Sequence, residues 1–182
     1  MAHVLVPLAQ GCEELEAITI TDLLKRAGIE VTTCGLDDQP VKASRGITII
    51  PDTSIDKVQN MSFDLIVLPG GLPGSDHLRD NEQVQSLIKK QVLENKYMAA
   101  ICAAPKALAK AGVLAGKTAT SYPGVLAALA NDNITISENA VEIDGKIITS
   151  RGPGTAMDFA LSLIELLEGK EKRDEVNKQL VR

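Results

Sequence analysis

A chain of 182 residues is the size of one ordinary domain and can bury roughly 70% of its unfolded surface on folding. Hydrophobic residues make up 45% of it, yet it holds two Tyr, two Phe and no Trp, so Ala, Val, Ile and Leu must fill the interior, as in a parallel sheet covered by helices. The net charge of −5 comes from 24 acidic and 19 basic residues interspersed along the chain; this excludes the basic stripe that nucleic acid requires, and no apolar run approaches the roughly 20 residues of a membrane span.

The sequence opens directly on strand-like MAHVLVPLA. It lacks the basic start and small-residue cleavage site of a signal peptide, and a cytoplasmic protein is the expectation. Residues 3–8 predict a strand ending at Gln10-Gly11. Residues 13–27 carry apolar residues at helical spacing, with Glu at the front and Lys-Arg at the back, the charge order that a helix dipole prefers. Gly28 ends that helix, and 29–35 read as the next strand. The segment 40–50 predicts two short strands turning near Arg45-Gly46.

DLIVLP at 64–69 predicts a fully buried strand stopped by Gly70-Gly71, followed by a helix over about 81–95. A second buried strand, 97–102, runs into Ala103-Ala104-Pro105 and an Ala-rich helix reaching about Ala111. A short strand at 118–121, a brief helix opened by Pro123 and strands near 134–136, 140–143 and 146–150 come next; Asp144-Gly145 marks a hairpin between the last two. A long amphipathic helix then runs from Pro153-Gly154-Thr155 to about Leu167, and Gly169 separates it from a polar helical tail. No repeat or linker interrupts this order, and a single domain over 1–182 is expected. Alternating strands and helices imply a parallel sheet with helices on both faces, whose sites lie beyond the carboxyl ends of the strands.

Three segments fall at those ends: Gly11 to Glu16, Pro69 to Gly71 and Cys102 to Pro105. Cys102 stands where a buried strand meets a helix, so its thiol is expected above the sheet, as the serine is presented in the G-x-S-x-G elbow. The helix N-terminus would favour thiolate there, against the commoner fate of a free Cys as a buried structural residue. Glu16 precedes Ala17-Ile18 on the side of its helix that faces the sheet; in an apolar pocket its carboxyl would hold a proton and donate it toward a thiolate. For Glu13 and Glu14 the preferred explanation is complementarity to the helix dipole in the first turn.

Gly70 and Gly71 would let backbone N–H groups form an oxyanion cradle, although a turn alone also asks for glycine. Cys12 is expected half-exposed, Cys34 in the core, His3 in the first strand and His77 in a surface loop. Neither histidine suggests a base, and no Cys/His spacing suggests a metal. Arg45 and Arg151, each followed by Gly, mark turns, and near the rim they would hold a carboxylate or oxidised sulfur.

Together the residues resemble the ThiJ/PfpI superfamily, within it the branch of the parkinsonism-associated protein deglycase and its bacterial relatives. The resemblance rests on GCEELEA at 11–17, LKRAGIEVT at 24–32, SRGITI at 44–49, DLIVLPGG at 64–71, AAICAAPKAL at 99–108 and SRGPGTAMDFAL at 150–161. It implies a flavodoxin-like three-layer α/β sandwich, a homodimer, and a nucleophile at Cys102 hydrogen-bonded by Glu16. It implies further that Gly70, Gly71 and Ala103 line the oxyanion side, that Arg26 reaches the partner subunit's site and that Arg45 lies near the same contact. No metal or organic cofactor is implied.

One position departs from the pattern. Relatives often carry a histidine before the proline following the strand after the elbow helix, and here Tyr122 precedes Pro123. A phenol, with its ordinary pKa near about 10, is a poor base at neutral pH. Cys102 is followed by Ala103, not by the histidine of the protease-like branch, so peptidase activity is not expected. Three functions stay open: a glyoxalase or deglycase acting on methylglyoxal, glyoxal or early protein glycation adducts; a redox-sensing or chaperone-like protein whose cysteine is oxidised to sulfinic acid; and a relative that keeps the fold without activity.

Overall fold

The computed structural model describes residues 1–129 and 133–182. Strand β1 (His3–Leu8) leads through helix α1 (Glu14–Arg26) to β2 (Glu30–Gly35). The hairpin β3 (Val41–Lys42) and β4 (Thr48–Ile49) stands apart from the main sheet, and β5 (Thr53–Ser54) with α2 (Ile55–Val58) returns to it. Then come β6 (Leu65–Leu68), α3 (Gly74–Asp80), α4 (Glu82–Leu93), β7 (Tyr97–Ile101) and α5 (Pro105–Lys110). A small pair, β8 (Thr118–Ala119) and β9 (Thr135–Ile136), precedes the hairpin of β10 (Val141–Asp144) and β11 (Ile147–Ser150). After a 3-10 turn at Pro153–Thr155, helices α6 (Ala156–Glu168) and α7 (Lys170–Gln179) close the chain.

Seven strands form one sheet in the order β10-β11-β7-β6-β1-β2-β5. Every pairing is parallel except the β10–β11 hairpin. The alternation of strand side chains explains the layers. Val4, Val6, Leu65, Val67, Ala99 and Ile101 face α1, α6 and α7, whereas Leu5, Ile66, Leu68, Met98 and Ala100 face α2 to α5. Both faces are apolar, so the strands read as unbroken hydrophobic runs, and each fully buried Leu, Ile or Val contributes about 1.5–3 kcal/mol.

Helix α1 carries Glu14 and Glu16 in its first turn and Lys25 and Arg26 in its last, and Gly28 turns the chain at φ +78°. Helix α4 is capped by Asn81, whose side chain accepts from the Val84 N–H at 3.0 Å. Three expectations fail locally. Helix α3 was not legible because Leu78 is its one buried large apolar side chain, so it has no amphipathic period. Residues 123–128 form consecutive turns instead of a helix, with Gly124 at φ +86°. His77 sits in α3, not a loop, with Nδ1 3.1 Å from the Gln10 carbonyl.

Candidate functional site

Strands β7, β6 and β1 are sheet neighbours, and their registers set Leu5 beside Ile66 and Leu68 beside Ala100. Their carboxyl ends therefore deliver Cys102, Gly70-Gly71 and the 11–16 segment to one rim. The order of connections reverses between β1 and β6, and that switch point opens the crevice where such sheets bind ligands.

Cys102 follows β7 with φ +63°, a left-handed conformation that is strained for a side-chain-bearing residue. Two backbone hydrogen bonds hold it there: its N–H donates to the Ser150 carbonyl at 3.0 Å, and its carbonyl accepts from the Tyr122 N–H at 2.8 Å. Strand β7 ends one residue earlier than expected, and α5 begins only at Pro105 and spans six residues. The N–H groups of Gly71 and Ala103, rather than a long helix dipole, support a thiolate.

Glu16 is completely buried on the sheet side of α1. Its Oε2 accepts from the Gly70 N–H at 2.8 Å, and Oε1 is buried with no hydrogen-bond partner among the described residues. Burial raises its pKa from 4.5 to about 7. The Cys102 thiol is pushed up to about 12 by burial and then by the neighbouring Glu16 charge, against the pull of the Gly71 and Ala103 N–H groups. The two groups thus compete for one proton. An unpartnered carboxyl oxygen is best satisfied by carrying that proton, and when Glu16 is neutral its charge no longer opposes the thiolate.

The Gly70 N–H, expected in an oxyanion cradle, is taken by Glu16. Gly71 has φ +90°, and a Cβ there would lie 2.3 Å from the Glu13 nitrogen, so only glycine fits. Cys102 opens onto a cleft of about 390 Å³. One wall is polar: Glu13 accepts from the Ser44 hydroxyl at 3.0 Å, with Arg45 Nε 3.9 Å from its carboxylate. Tyr122, Val125, Pro153 and Leu72 supply apolar lining, and Gly71 and Ala103 complete the cleft.

Glu13 and Glu14 do more than the expectation gave them. Both are buried, and besides facing the start of α1 they hold the 43–47 turn. Burial opposes the Glu14 charge, but N–H donors from Glu14, Arg45 and Ile47 and the Ser44 hydroxyl outweigh it and hold its pKa below the usual range. Cys12 is fully buried, not half-exposed, because the chain folds it beneath the Gly71 turn; burial and the charge of Glu14 push its thiol up to about 11. Cys34 is in the core as expected, with burial taking it to about 12.

Arg26 does not reach this cleft within its own chain. It pairs with Asp22 at 2.6 Å, three turns along α1 from Glu16. Arg151 donates to the Glu138 carbonyl, and His3 lies 2.8 Å from the Thr32 hydroxyl. Sequence reasoning missed Ser44, Leu72, Val125 and Pro153. Ser44 and Pro153 lie inside recognisable segments, whereas Val125 arrives through turns with no readable signal. Among the described residues no group of three or more His, Cys, Asp or Glu is arranged to hold a metal ion.

A mainly parallel sheet between two helical layers, with a thiol on a left-handed elbow at its carboxyl rim, defines a flavodoxin-like α/β protein with a candidate nucleophile-elbow cysteine. Residues 2–166 match the DJ-1/PfpI family, and the chain belongs to that family. It is 49% identical over 178 residues to Protein dj-1beta of Drosophila melanogaster, covering 97% of this chain and 95% of that protein. The crystal structure of that fly protein superposes with a TM-score of 0.95 at 48% identity, covering 99% and 97% of the two chains. Identity to the protein named glutathione-independent glyoxalase DJR-1.2 of Caenorhabditis elegans is 37% over 179 residues, covering 98% and 95%. The solved structure of oxidized Toxoplasma gondii DJ-1 matches at 39% identity and a TM-score of 0.95, covering 100% and 98%.

Proposed function

We propose that the protein is a cofactor-independent glyoxalase or deglycase that converts 2-oxoaldehydes, free or as early adducts on protein, to 2-hydroxy acids. The observation that carries this reading is the Cys102 thiol on its left-handed elbow, with the neighbouring Gly71 and Ala103 N–H groups favouring thiolate and a buried Glu16 beside it to take up its proton. The worm relative bearing a glyoxalase name adds support.

The chemistry balances without an oxidant. The thiolate adds to the aldehyde carbon, and the carbonyl electron pair goes to oxygen, which takes a proton. Glu16 then removes the proton on that carbon and returns one to the neighbouring carbon, whose carbonyl becomes a hydroxyl as the first carbon becomes a thioester. Water adds to the thioester, the C–S bond breaks, and the hydroxy acid leaves with the thiol restored. Assay of lactate from methylglyoxal tests this: the wild type produces it, while Cys102→Ser and Glu16→Gln fall by at least about 10²-fold. Wild-type protein that makes no lactate overturns it.

A second reading is favoured by the Glu16 carboxyl, which neighbours the thiol and whose Oε1 is buried without a hydrogen-bond partner among the described residues. Protonated there, Glu16 would donate to a sulfinate oxygen and halt peroxide oxidation of Cys102 at two added oxygens, making the protein a redox sensor. Intact mass after graded peroxide tests it, with a stable gain of two oxygens in wild type that is lost in Glu16→Ala. The proposal includes a cytoplasmic homodimer. Leu15 and Ile18 on α1 and Ile47 before β4 are exposed apolar residues suited to a second copy, whose Arg26 would approach the cleft. Among the described residues no helix is long and apolar enough to cross a membrane.

A further inference from the structure

We propose that Tyr122 is a specificity-determining residue that makes the cleft select 2-oxoaldehydes carrying an aryl or branched alkyl group over glyoxal. This rests on reading Cys102 as the site of thiol addition. Tyr122 is 52% exposed, a large aromatic surface left open beside a thiol that is itself 8% exposed. Its ring lies against Gly152, where a Cβ would sit 3.4 Å from Cδ2. The same residue's N–H donates to the Cys102 carbonyl at 2.8 Å, and its carbonyl accepts from the Val125 N–H at 3.1 Å. The backbone that carries the aromatic wall is thereby fixed relative to the nucleophile, and Val125 and Pro153 extend the wall.

The polar groups of the cleft are gathered elsewhere, in the bonded set of Glu13, Ser44 and Arg45. A 2-oxoaldehyde bound between the two would lay its substituent on the ring and leave the carboxylate formed by the reaction toward the Arg45 guanidinium. Glyoxal has no substituent to lay there. A cleft of about 390 Å³ is also far larger than glyoxal's four heavy atoms need, since one liquid water occupies about 30 Å³. Apolar surface removed from water on the ring is gained by phenylglyoxal and 3-methyl-2-oxobutanal alone.

The test compares kcat/KM for phenylglyoxal, 3-methyl-2-oxobutanal and glyoxal in wild type, Tyr122→Phe and Tyr122→Ala. Wild type is expected to favour the two substituted aldehydes roughly ten-fold or more, within the range that apolar contacts provide. Tyr122→Phe keeps that ratio because the hydroxyl is not used, and Tyr122→Ala lowers it about ten-fold. A preference for glyoxal in wild type, or an equal ratio in Tyr122→Ala, overturns the proposal. Protection of Cys102 from iodoacetamide by mandelate and by glycolate decides the point independently of turnover. Mandelate should protect at roughly ten-fold lower concentration, and Tyr122→Ala should remove the difference. Absence of turnover with every aldehyde would refute the enzymatic reading, while equal protection by the two acids would refute the specificity.

Discussion

Gly70 donates a hydrogen bond to Glu16 Oε2 at 2.8 Å, and it does so from a position where no side chain fits. A Cβ at residue 70 would lie 2.6 Å from the Cys102 Cβ, 2.8 Å from Glu16 Oε2 and 3.0 Å from the Ile101 carbonyl oxygen. Gly70→Ala must therefore move the elbow, the carboxyl or both. It should destabilise the fold by about 1–3 kcal/mol, the usual range for overpacking. Gly154→Ala meets nothing within 4 Å and should lie within about 0.5 kcal/mol of wild type. Thermal unfolding of the two variants checks the contrast; equal melting temperatures would show that the rim adjusts without strain.

Glu16 makes stability depend on pH in a defined direction. Its folded pKa is raised from 4.5 to about 7 by burial, so the folded state binds the proton more tightly than the unfolded state. This contribution is fully present below about pH 4.5 and is lost as pH rises through about 7, a swing of about 3 kcal/mol for a shift of that size. Glu16→Gln keeps an acceptor for the Gly70 N–H and carries no charge. Its stability should gain on that of wild type by that amount between pH 4.5 and pH 8, measured by urea unfolding. Parallel curves for the two proteins would mean that Glu16 titrates normally.

The three thiols should separate sharply toward alkylation. Cys12 and Cys34 are wholly inaccessible, and burial alone is the leading cause of their raised pKa values. Cys102 is raised as far, but it opens onto the cleft, and part of its shift comes from a neighbour that can take up the proton itself. Iodoacetamide at pH 7.5 should label Cys102 at least about ten-fold faster than either other cysteine in folded protein. All three should react alike in denaturant. Peptide mass spectrometry follows each site, and comparable labelling of Cys12 in folded protein would contradict the burial assigned to it.

Much of this was readable in the chain because strands β6 and β7 are unbroken apolar runs ending at glycine or at an Ala-Ala-Pro turn. That pattern placed Cys102 and Gly70-Gly71 at one rim, and the strand-turn-helix opening of β1 and α1 placed Glu16 there. The inaccessibility of Cys12 was not readable, because it depends on how closely the Gly71 and Gly74 backbones approach it from a segment 60 residues away. The roles of Glu13 and Glu14 were hidden for a similar reason. Their partners lie in the 43–47 turn, and the first-turn position alone already gave a sufficient explanation. Tyr122 was legible as a departure from a pattern, but its contact with Gly152 arises only when β11 lies beside β7.

Lys106 on α5 and Asp76 on α3 meet at 2.5 Å, with the lysine side chain only 11% exposed and Arg79 also 3.1 Å from the same carboxylate. Helix α5 follows the elbow directly, and α3 follows the Gly-Gly turn, to which Ser75 is tied by its hydroxyl bond to the Gly71 carbonyl at 2.7 Å. The pair thus braces the two segments whose N–H groups favour the Cys102 thiolate. Asp76 is more than a third exposed, so solvent screens the interaction, and Lys106→Met should cost only about 1 kcal/mol of stability. The effect on the thiol should be larger than that cost suggests. Spreading Gly71 from Ala103 weakens both N–H contacts, so alkylation of Cys102 at pH 7.5 should slow several-fold and its pH profile should move upward. Lys106→Arg, which keeps a donor within reach of Asp76, should restore both. An unchanged alkylation profile in Lys106→Met, with stability alone reduced, would make the ion pair a surface fastening with no part in setting the reactive cysteine.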